Sequence, residues 1–185
     1  MPEDAVSSVE WVTTSVPYLT ARQPGKRDAW SAETAARGRR GTQRIVQAGE
    51  TSAPAGIAEV LGLEQGAVVV GRRRVMYLDN RPCELTDTYY PLSIARGTRL
   101  GETAKIPGGA ITLLAELGYV AVRACEDISA RLPSEEEAEA LDADVTQPVL
   151  QLVRLSLDAG DRPVQADRMV MPAQLQQLRY DIRIG

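Results

Sequence analysis

Two strand–turn–strand patterns constrain the fold of this chain more than any other feature. In the first, strand-forming segments at residues 68–78 and 83–90 flank the turn Asp79-Asn80-Arg81-Pro82. In the second, segments at residues 149–157 and 164–171 flank a loop that contains Gly160 and ends at Pro163. Each pattern predicts a β-hairpin, in which the two strands run antiparallel.

The segments around these hairpins predict helices and further strands. Proline, serine and glycine signals predict three short helices, at residues 54–62, 107–118 and 134–141. Residues 120–130 alternate as a strand does, and residues 181–184 predict a last short strand. Because no β-α-β crossover repeats in this order, we expect an α+β fold, a mainly antiparallel sheet with flanking helices.

Residues 1–48 differ from the rest of the chain. They are rich in alanine, glycine, arginine and polar residues and show no sustained period, apart from a short helical pattern near residues 30–37. This predicts an arm or linker that precedes one globular domain at residues 49–185. Trp11, Tyr18 and Trp30 are unusual in such a segment, since disordered chains contain few aromatic residues, so we expect the arm to pack against another surface.

Composition argues against several classes of function. The formal net charge of −4 disfavours a dedicated nucleic-acid binder, which needs a basic face for phosphates. The chain has no histidine, and its two cysteines, Cys83 and Cys125, lack metal-ligand spacing, so we expect no metal site and no cofactor. The longest apolar run, residues 66–71, is too short to span a membrane, and we expect a cytoplasmic protein.

Catalysis finds little support in the sequence. The absence of histidine excludes Ser-His-Asp and Cys-His mechanisms, while Ser-Lys pairs and paired carboxylates stay open. Glu126 and Asp127 are adjacent on a predicted strand, so their side chains point to opposite faces and cannot act on one substrate. We predict that the chain is not an enzyme.

Short segments along residues 49–185 carry a family resemblance: Gly71-Arg72-Arg73-Arg74-Val75, Thr88-Tyr89-Tyr90-Pro91, Ile106-Pro107-Gly108-Gly109, Glu126 to Pro133, Gln147-Pro148-Val149-Leu150 and Asp161 to Gln165. In order and spacing they resemble the UTRA domain of HutC-type regulators in the GntR superfamily of bacterial transcription regulators. The resemblance implies a chorismate-lyase-like fold, a small-molecule effector, and a homodimer whose geometry the effector alters.

The same resemblance bears on partners. Such regulators normally carry an N-terminal winged helix-turn-helix, and the segment before Trp11 is too short to form one. Residues 11–19 resemble the segment that joins the UTRA domain to that module. We therefore expect operator DNA to be bound only through a module outside this sequence. On this expectation the sequence is either part of a longer chain or a natural stand-alone sensor that does not bind an operator itself.

Arginines on the first predicted strand are candidates for an anion site. Val70, Arg72, Arg74 and Met76 share one face of this strand, so two guanidinium groups lie among apolar neighbours. Burying them is costly unless they meet an anion, and a bound anionic ligand would supply one. The alternative is ion pairs across the sheet with Glu84, Glu126 or Asp167.

Backbone and polar groups complete the predicted site. Gly108, Gly109 and Ala110 present N–H groups at a helix start, which suits an anion, although an ordinary loop that requires glycine would look the same. Many relatives have a serine where this chain has Gly109, which weakens the expectation of a phosphosugar. The resemblance adds further candidate contacts: Thr88, Tyr90, Gln165 and Asp167. Gln165 replaces a common glutamate, and this favours a more apolar effector.

These observations predict the ligand-sensing and oligomerisation domain of a GntR/HutC-type transcriptional repressor. The effector would bind the cavity, order the arm and so modulate DNA binding and transcription. Two alternatives stay open, namely a small lyase-like enzyme on the same fold and a stand-alone dimerisation module without effector. Substrate turnover would indicate the first, and the absence of any bound metabolite the second.

Overall fold

The computed structural model describes residues 11–23 and 26–182. Its strands are β1 (Trp11–Thr13), β2 (Gly41–Ser52), β3 (Val68–Leu78), β4 (Arg81–Pro91), β5 (Arg123–Arg131), β6 (Val149–Leu157), β7 (Pro163–Pro172) and β8 (Gln176–Leu178). Its α-helices are α1 (Val16–Leu19), α2 (Ala29–Ala36), α3 (Ala55–Val60), α4 (Leu92–Ala95), α5 (Ala110–Glu116) and α6 (Glu135–Leu141), and a 3₁₀ turn spans Arg99–Gly101.

Six of these strands form one antiparallel sheet in the order β2-β3-β4-β7-β6-β5. The two predicted hairpins, β3-β4 and β6-β7, are confirmed, and they meet where β4 pairs with β7 at the middle of the sheet. The short strands β1 and β8 form a separate parallel pair. The α+β fold with a mainly antiparallel sheet and flanking helices is therefore confirmed.

The turn of the first hairpin is tighter than the sequence pattern indicates. Asp79 and Asn80 have φ values of 48° and 68°, so both central residues adopt the left-handed conformation of a two-residue turn, which Asp and Asn tolerate best after glycine. Strand β4 therefore begins at Arg81 rather than Cys83. Pro82 lies within the strand where the register with β3 shifts, and such an irregularity accommodates a residue that has no N–H.

Helices cover both faces of the sheet. On one face, α3 packs against Val69 and Tyr89, and Leu141 of α6 packs against the other end of the same face. On the opposite face, Val70 and Tyr90 pack against the region of α4 and α5, whereas Met76 packs against the tryptophans of β1 and α2. A third apolar cluster on this face contains Leu152, Met169 and Met171, and the sheet surface between the three clusters is polar.

Two expectations about the chain's ends need correction. Residues 41–48, predicted as part of an arm, belong to the edge strand β2, so the expected boundary between residues 48 and 49 falls inside a strand. A register shift between Ile45 and Gln47 breaks the two-residue period, which hid this strand from pattern analysis. Residues 181 and 182 are not a strand, and the rest of that predicted strand lies outside the described residues; β8 lies a few residues earlier instead.

Other local predictions are confirmed. The helix expected near residues 30–37 is α2, and Asp28 caps it by accepting a hydrogen bond from the Ser31 N–H. Ser134 and Glu137 form the predicted reciprocal capping box of α6. No helix among the described residues is long and apolar enough to cross a membrane.

Candidate ligand-binding cavity

A cavity of about 120 Å³ lies on the polar part of the second sheet face. The sheet forms its floor, the turn before α5 forms one wall, and residues of the segment 13–30 close over it. Seven of the nine predicted site residues line it: Arg74, Tyr90, Gly108, Gly109, Ala110, Gln165 and Asp167. The structure therefore brings together most of the residues that the sequence separates by as many as 93 positions.

The floor is polar because charged and hydroxyl residues stand in register across five strands. Arg72 lies opposite Thr88, Thr88 opposite Asp167, Asp167 opposite Arg154, and Arg154 opposite Glu126. Directly opposite side chains of an antiparallel sheet lie on the same face and close together. An apolar helix cannot cover this polar row without leaving polar groups unpaired, and two of its residues, Asp167 and Arg154, line the cavity.

Arg72 and Thr88 do not line the cavity. The Arg72 side chain is buried, and its guanidinium donates hydrogen bonds to the backbone carbonyls of Glu102 and Ala104, the latter at 2.6 Å. Burial lowers the pKa of Arg72. Arg72 therefore lies outside this cavity, because the loop after the 3₁₀ turn occupies its donors, and a ligand contact of Arg72 stays a prediction. The Thr88 hydroxyl donates to Asp167 Oδ1 at 2.7 Å and so supports a residue that does line the cavity.

Arg74 is the cation that the floor leaves without an anion. Its closest hydrogen-bond acceptors are Gln43 Oε1 at 3.5 Å and Thr88 Oγ1 at 3.4 Å, both at the limit of a hydrogen bond. Its Nε is buried without an acceptor, and no carboxylate of the described residues lies within 4.0 Å of the guanidinium. The ion-pair alternative thus does not hold for Arg74.

Ion pairs do explain two neighbouring arginines. Arg73 points to the opposite face and donates to Asp87 Oδ1 at 2.7 Å, and Arg154 donates from Nε to Glu126 Oε1 at 2.6 Å. The side chains of Arg154 and Glu126 are only 7% and 10% exposed, so this pair is nearly desolvated. Glu126, which we considered as a partner for the first strand, therefore belongs to Arg154.

Two carboxylates, Asp167 and Glu84, and the amide of Gln165 form the acidic side of the cavity. The Asp167 carboxylate accepts hydrogen bonds from the Thr88 hydroxyl and from Gln165 Nε2, each at 2.7 Å. The other end of the Gln165 amide, Oε1, is buried and accepts no hydrogen bond from the described residues. Burial raises the pKa of Glu84, although the hydrogen bond from Thr86 and the charge of Arg74 oppose it. The resemblance did not indicate Glu84, but its place beside Met76 in the strand register could have done so.

The Gly108-Gly109 turn needs glycine for its backbone. The two residues have φ values of 76° and 89°, and a Cβ at Gly108 would lie 3.1 Å from the Thr112 side chain. The Gly109 N–H already donates to the Ile106 carbonyl at 3.0 Å. The alternative of a loop that requires glycine is therefore supported, and the turn also lines the cavity.

Residues of the segments 11–23 and 26–36 pack together beside and over the cavity, as the aromatic residues led us to expect. The Trp11 and Trp30 rings contact each other edge to face, with centroids 5.3 Å apart, and the Arg37 guanidinium lies 4.1 Å from the centre of the Trp11 ring. The Tyr18 hydroxyl donates to the Glu33 carboxylate, and burial raises the pKa of Tyr18. We call residues 11–23 the lid.

The lid is joined to the polar row through Ser15. Its hydroxyl donates to Glu126 Oε2 at 2.9 Å and accepts from Arg154 Nη2 at 3.1 Å. The Tyr180 hydroxyl donates to the same Glu126 oxygen at 2.7 Å. Although burial opposes them, these hydrogen bonds and the charge of Arg154 hold the pKa of Glu126 below its ordinary value. Because Arg154 also lines the cavity, cavity and lid share a charged group.

Chemically, the site combines acidic groups with two guanidinium groups that have no carboxylate partner among the described residues, Arg74 on the sheet and Arg22 in the lid. Among the described residues, no cluster of three or more histidine, cysteine or acidic side chains could hold a metal ion. The arrangement suits reversible binding of a small polar molecule.

Comparison with known proteins identifies the domain family of the chain, and the relatives that it matches are named transcription regulators. Residues 36–176 match the model of the UTRA domain family, and the chain belongs to that family. It is 32% identical over 135 residues to an uncharacterized HTH-type transcriptional regulator of Streptomyces coelicolor, a match that covers 70% of this chain and 50% of that protein. It is 28% identical over 156 residues to the HTH-type transcriptional repressor PhnF of Mycolicibacterium smegmatis, covering 84% of this chain and 63% of PhnF.

Solved structures agree with this assignment. The effector domain of PhnF from Mycobacterium smegmatis superposes with a TM-score of 0.72 at 25% identity, covering 88% of this chain and 99% of that domain. A GntR-family regulator from Bacillus cereus shares the fold with a TM-score of 0.65 at 14% identity, over 78% of this chain and 99% of that chain. The chain matches half to about two thirds of the length of its curated relatives.

Proposed function

We propose that this chain is the effector-sensing and oligomerisation part of a GntR-family, HutC-type transcriptional repressor that acts in the bacterial cytoplasm, and that its cavity binds a small molecule with an anionic group. The observation that carries this proposal is Arg74. A buried guanidinium nitrogen without an acceptor is costly, and an anion in the cavity would provide the missing hydrogen bonds. Tyr90, Gln165, Asp167 and the turn of residues 108–110 are the further contacts that we propose.

The lid is the element through which the ligand would act. Lid residues line the cavity in which the ligand would bind. The lid also lies on the N-terminal side of the domain, where a DNA-binding module would be attached in a longer regulator. A ligand changes operator affinity only by its preference for one lid arrangement, typically about 1–3 kcal/mol of coupling. Operator DNA, on this proposal, is bound by a winged helix-turn-helix outside this chain.

A regulatory role without catalysis is the simplest reading of the site. The relatives are named transcriptional regulators. In the cavity, Arg154 and Asp28 are each engaged by a partner outside it, Glu126 and Lys105 respectively. Because the named relatives are regulators and these two groups are held by ion pairs, we propose that the bound molecule leaves the cavity unchanged.

Thermal unfolding of the purified chain against phosphorylated sugars, small carboxylates and acyl compounds tests this function. A ligand at a hundred times its Kd adds about 2.7 kcal/mol, or a Tm rise of roughly 5–10 °C for a chain of this size. The rise should disappear in Arg74→Gln and persist in Arg123→Gln, whose guanidinium is exposed and pairs with Asp161. No rise with any compound would favour a dimerisation module, and consumption of a compound would favour a lyase.

A further inference from the structure

The charges around the cavity do not fit a purely anionic ligand. Six charged residues line it: Arg22, Arg74, Arg154, Asp28, Glu84 and Asp167. Two of them are neutralised from outside the cavity, Arg154 by Glu126 and Asp28 by Lys105. The remaining cations and carboxylates are equal in number, and none of them has an oppositely charged partner within 4.0 Å in the described part of the chain.

Among the described residues, the carboxylates of Asp167 and Glu84 lack a cationic partner, just as Arg74 lacks an anionic one. Both oxygens of Asp167 accept hydrogen bonds from uncharged donors alone, the Thr88 hydroxyl and Gln165 Nε2. That second bond fixes the orientation of the Gln165 amide, because its nitrogen must face the carboxylate. Gln165 is 6% exposed, and its Oε1 is a buried acceptor without a donor. Glu84 accepts a hydrogen bond from Thr86 and has no cation in contact.

We propose that the cavity takes an amphoteric ligand, a small carboxylic or phosphoric acid that also carries a protonated amine. The acid group binds Arg74, and the amine lies against Glu84, Asp167 and Gln165 Oε1. This inference rests on the proposed function and narrows the class of its ligand. Arg74 and Glu84 lie one diagonal apart on the paired strands β3 and β4, so a short molecule can reach both.

An amine fits the acidic side better than a hydroxyl group. An ammonium group has three donors and a positive charge, so it can satisfy the Gln165 acceptor and offset the charge of the unpaired carboxylates together. A hydroxyl group would satisfy one acceptor and leave both carboxylates without a counter-charge. Burial raises the pKa of Glu84 although the charges of Arg74 and Arg154 lower it, so these two cations do not offset the cost of burying this carboxylate.

Two matched triplets of compounds test the inference by calorimetric titration of the whole chain. They are γ-aminobutyrate, butyrate and butylamine, and phosphoethanolamine, ethyl phosphate and ethylamine. We expect an amphoteric member to bind at least about tenfold more tightly than its acid-only and amine-only analogues, as a charged hydrogen bond in an enclosed site allows. In Glu84→Gln this preference over the acid should fall towards onefold, and Arg74→Gln should weaken the acid and the amphoteric compound alike.

Two further variants guard against a folding defect. Glu59→Gln changes an exposed carboxylate and should bind as the parent chain does. Gln165→Met removes the unpaired acceptor at similar volume, and it should likewise reduce the preference for the amphoteric compound. It serves as the test if Glu84→Gln is unstable. Equal binding of acid and amphoteric compound, unchanged in Glu84→Gln, would overturn this inference and leave the proposed function intact. Binding of none of the six compounds would count against both.

Discussion

Replacing Ser15 with alanine should release the lid without unfolding the sheet. The Ser15 hydroxyl makes two hydrogen bonds to charged groups, to Glu126 Oε2 at 2.9 Å and from Arg154 Nη2 at 3.1 Å. A hydrogen bond to a charged group contributes about 1.5–3 kcal/mol when buried, and Ser15 is half-buried, so the loss should be about 1–2 kcal/mol. Local opening of the lid should therefore become roughly 5–30 times more frequent.

Hydrogen exchange followed by mass spectrometry measures this opening directly. Peptides that cover residues 11–22 should exchange faster in Ser15→Ala by that factor, while peptides of β6 and β7 keep the rate of the parent chain. Ser129→Ala is the matched control, because Ser129 is exposed on β5 near Glu126. Unchanged exchange in the lid, or an equal increase in the central strands, would refute the idea that Ser15 holds the lid through the polar row.

Two further predictions concern acid stability and assembly. Although burial raises it, hydrogen bonds from Arg73 and Arg168 hold the pKa of the Asp87 carboxyl below its ordinary value. The stability from this carboxylate is therefore present above about pH 3.9, its unfolded value, and is lost as the pH falls through the lower folded value. Urea unfolding between pH 5 and pH 2 should show a weaker acid dependence in Asp87→Asn, and an identical dependence would contradict this assignment. Light scattering should give twice the chain mass of 20.0 kDa if the expected homodimer forms, and a single-chain mass would contradict it.

Local signals in the sequence were sufficient for most of the fold. The Asp79-Asn80 turn tolerates positive φ, and the Ser134 and Glu137 pair satisfies the N–H groups of a helix start, so each acts within a few residues. The edge strand β2 escaped because the register shift after Ile45 interrupts its alternation. Without a clear period, an edge strand with polar residues resembles a linker.

The candidate site was less predictable. Alternation along β3 puts Arg72 and Arg74 on one face, which is correct, but it cannot tell which of them meets the cavity. The loop at residues 102–104 decides this, because its carbonyls engage Arg72 and leave Arg74 without an acceptor. The role of Glu84 and of the lid residues likewise depends on segments distant in sequence that meet only in the folded chain.

By itself, the sequence determined the antiparallel hairpins, the places of the helices α2, α3, α5 and α6, and the family, since these depend on short-range patterns of polarity, turn residues and capping. Only the tertiary structure decided the pairing of the charges. The sequence pattern around an arginine and a carboxylate is the same whether the two form an ion pair or line a cavity separately. The strand register brings Arg154 to Glu126 and leaves Arg74, Glu84 and Asp167 around a cavity. Charge pairing follows distance in space, and that distance is set by the packing of the whole domain.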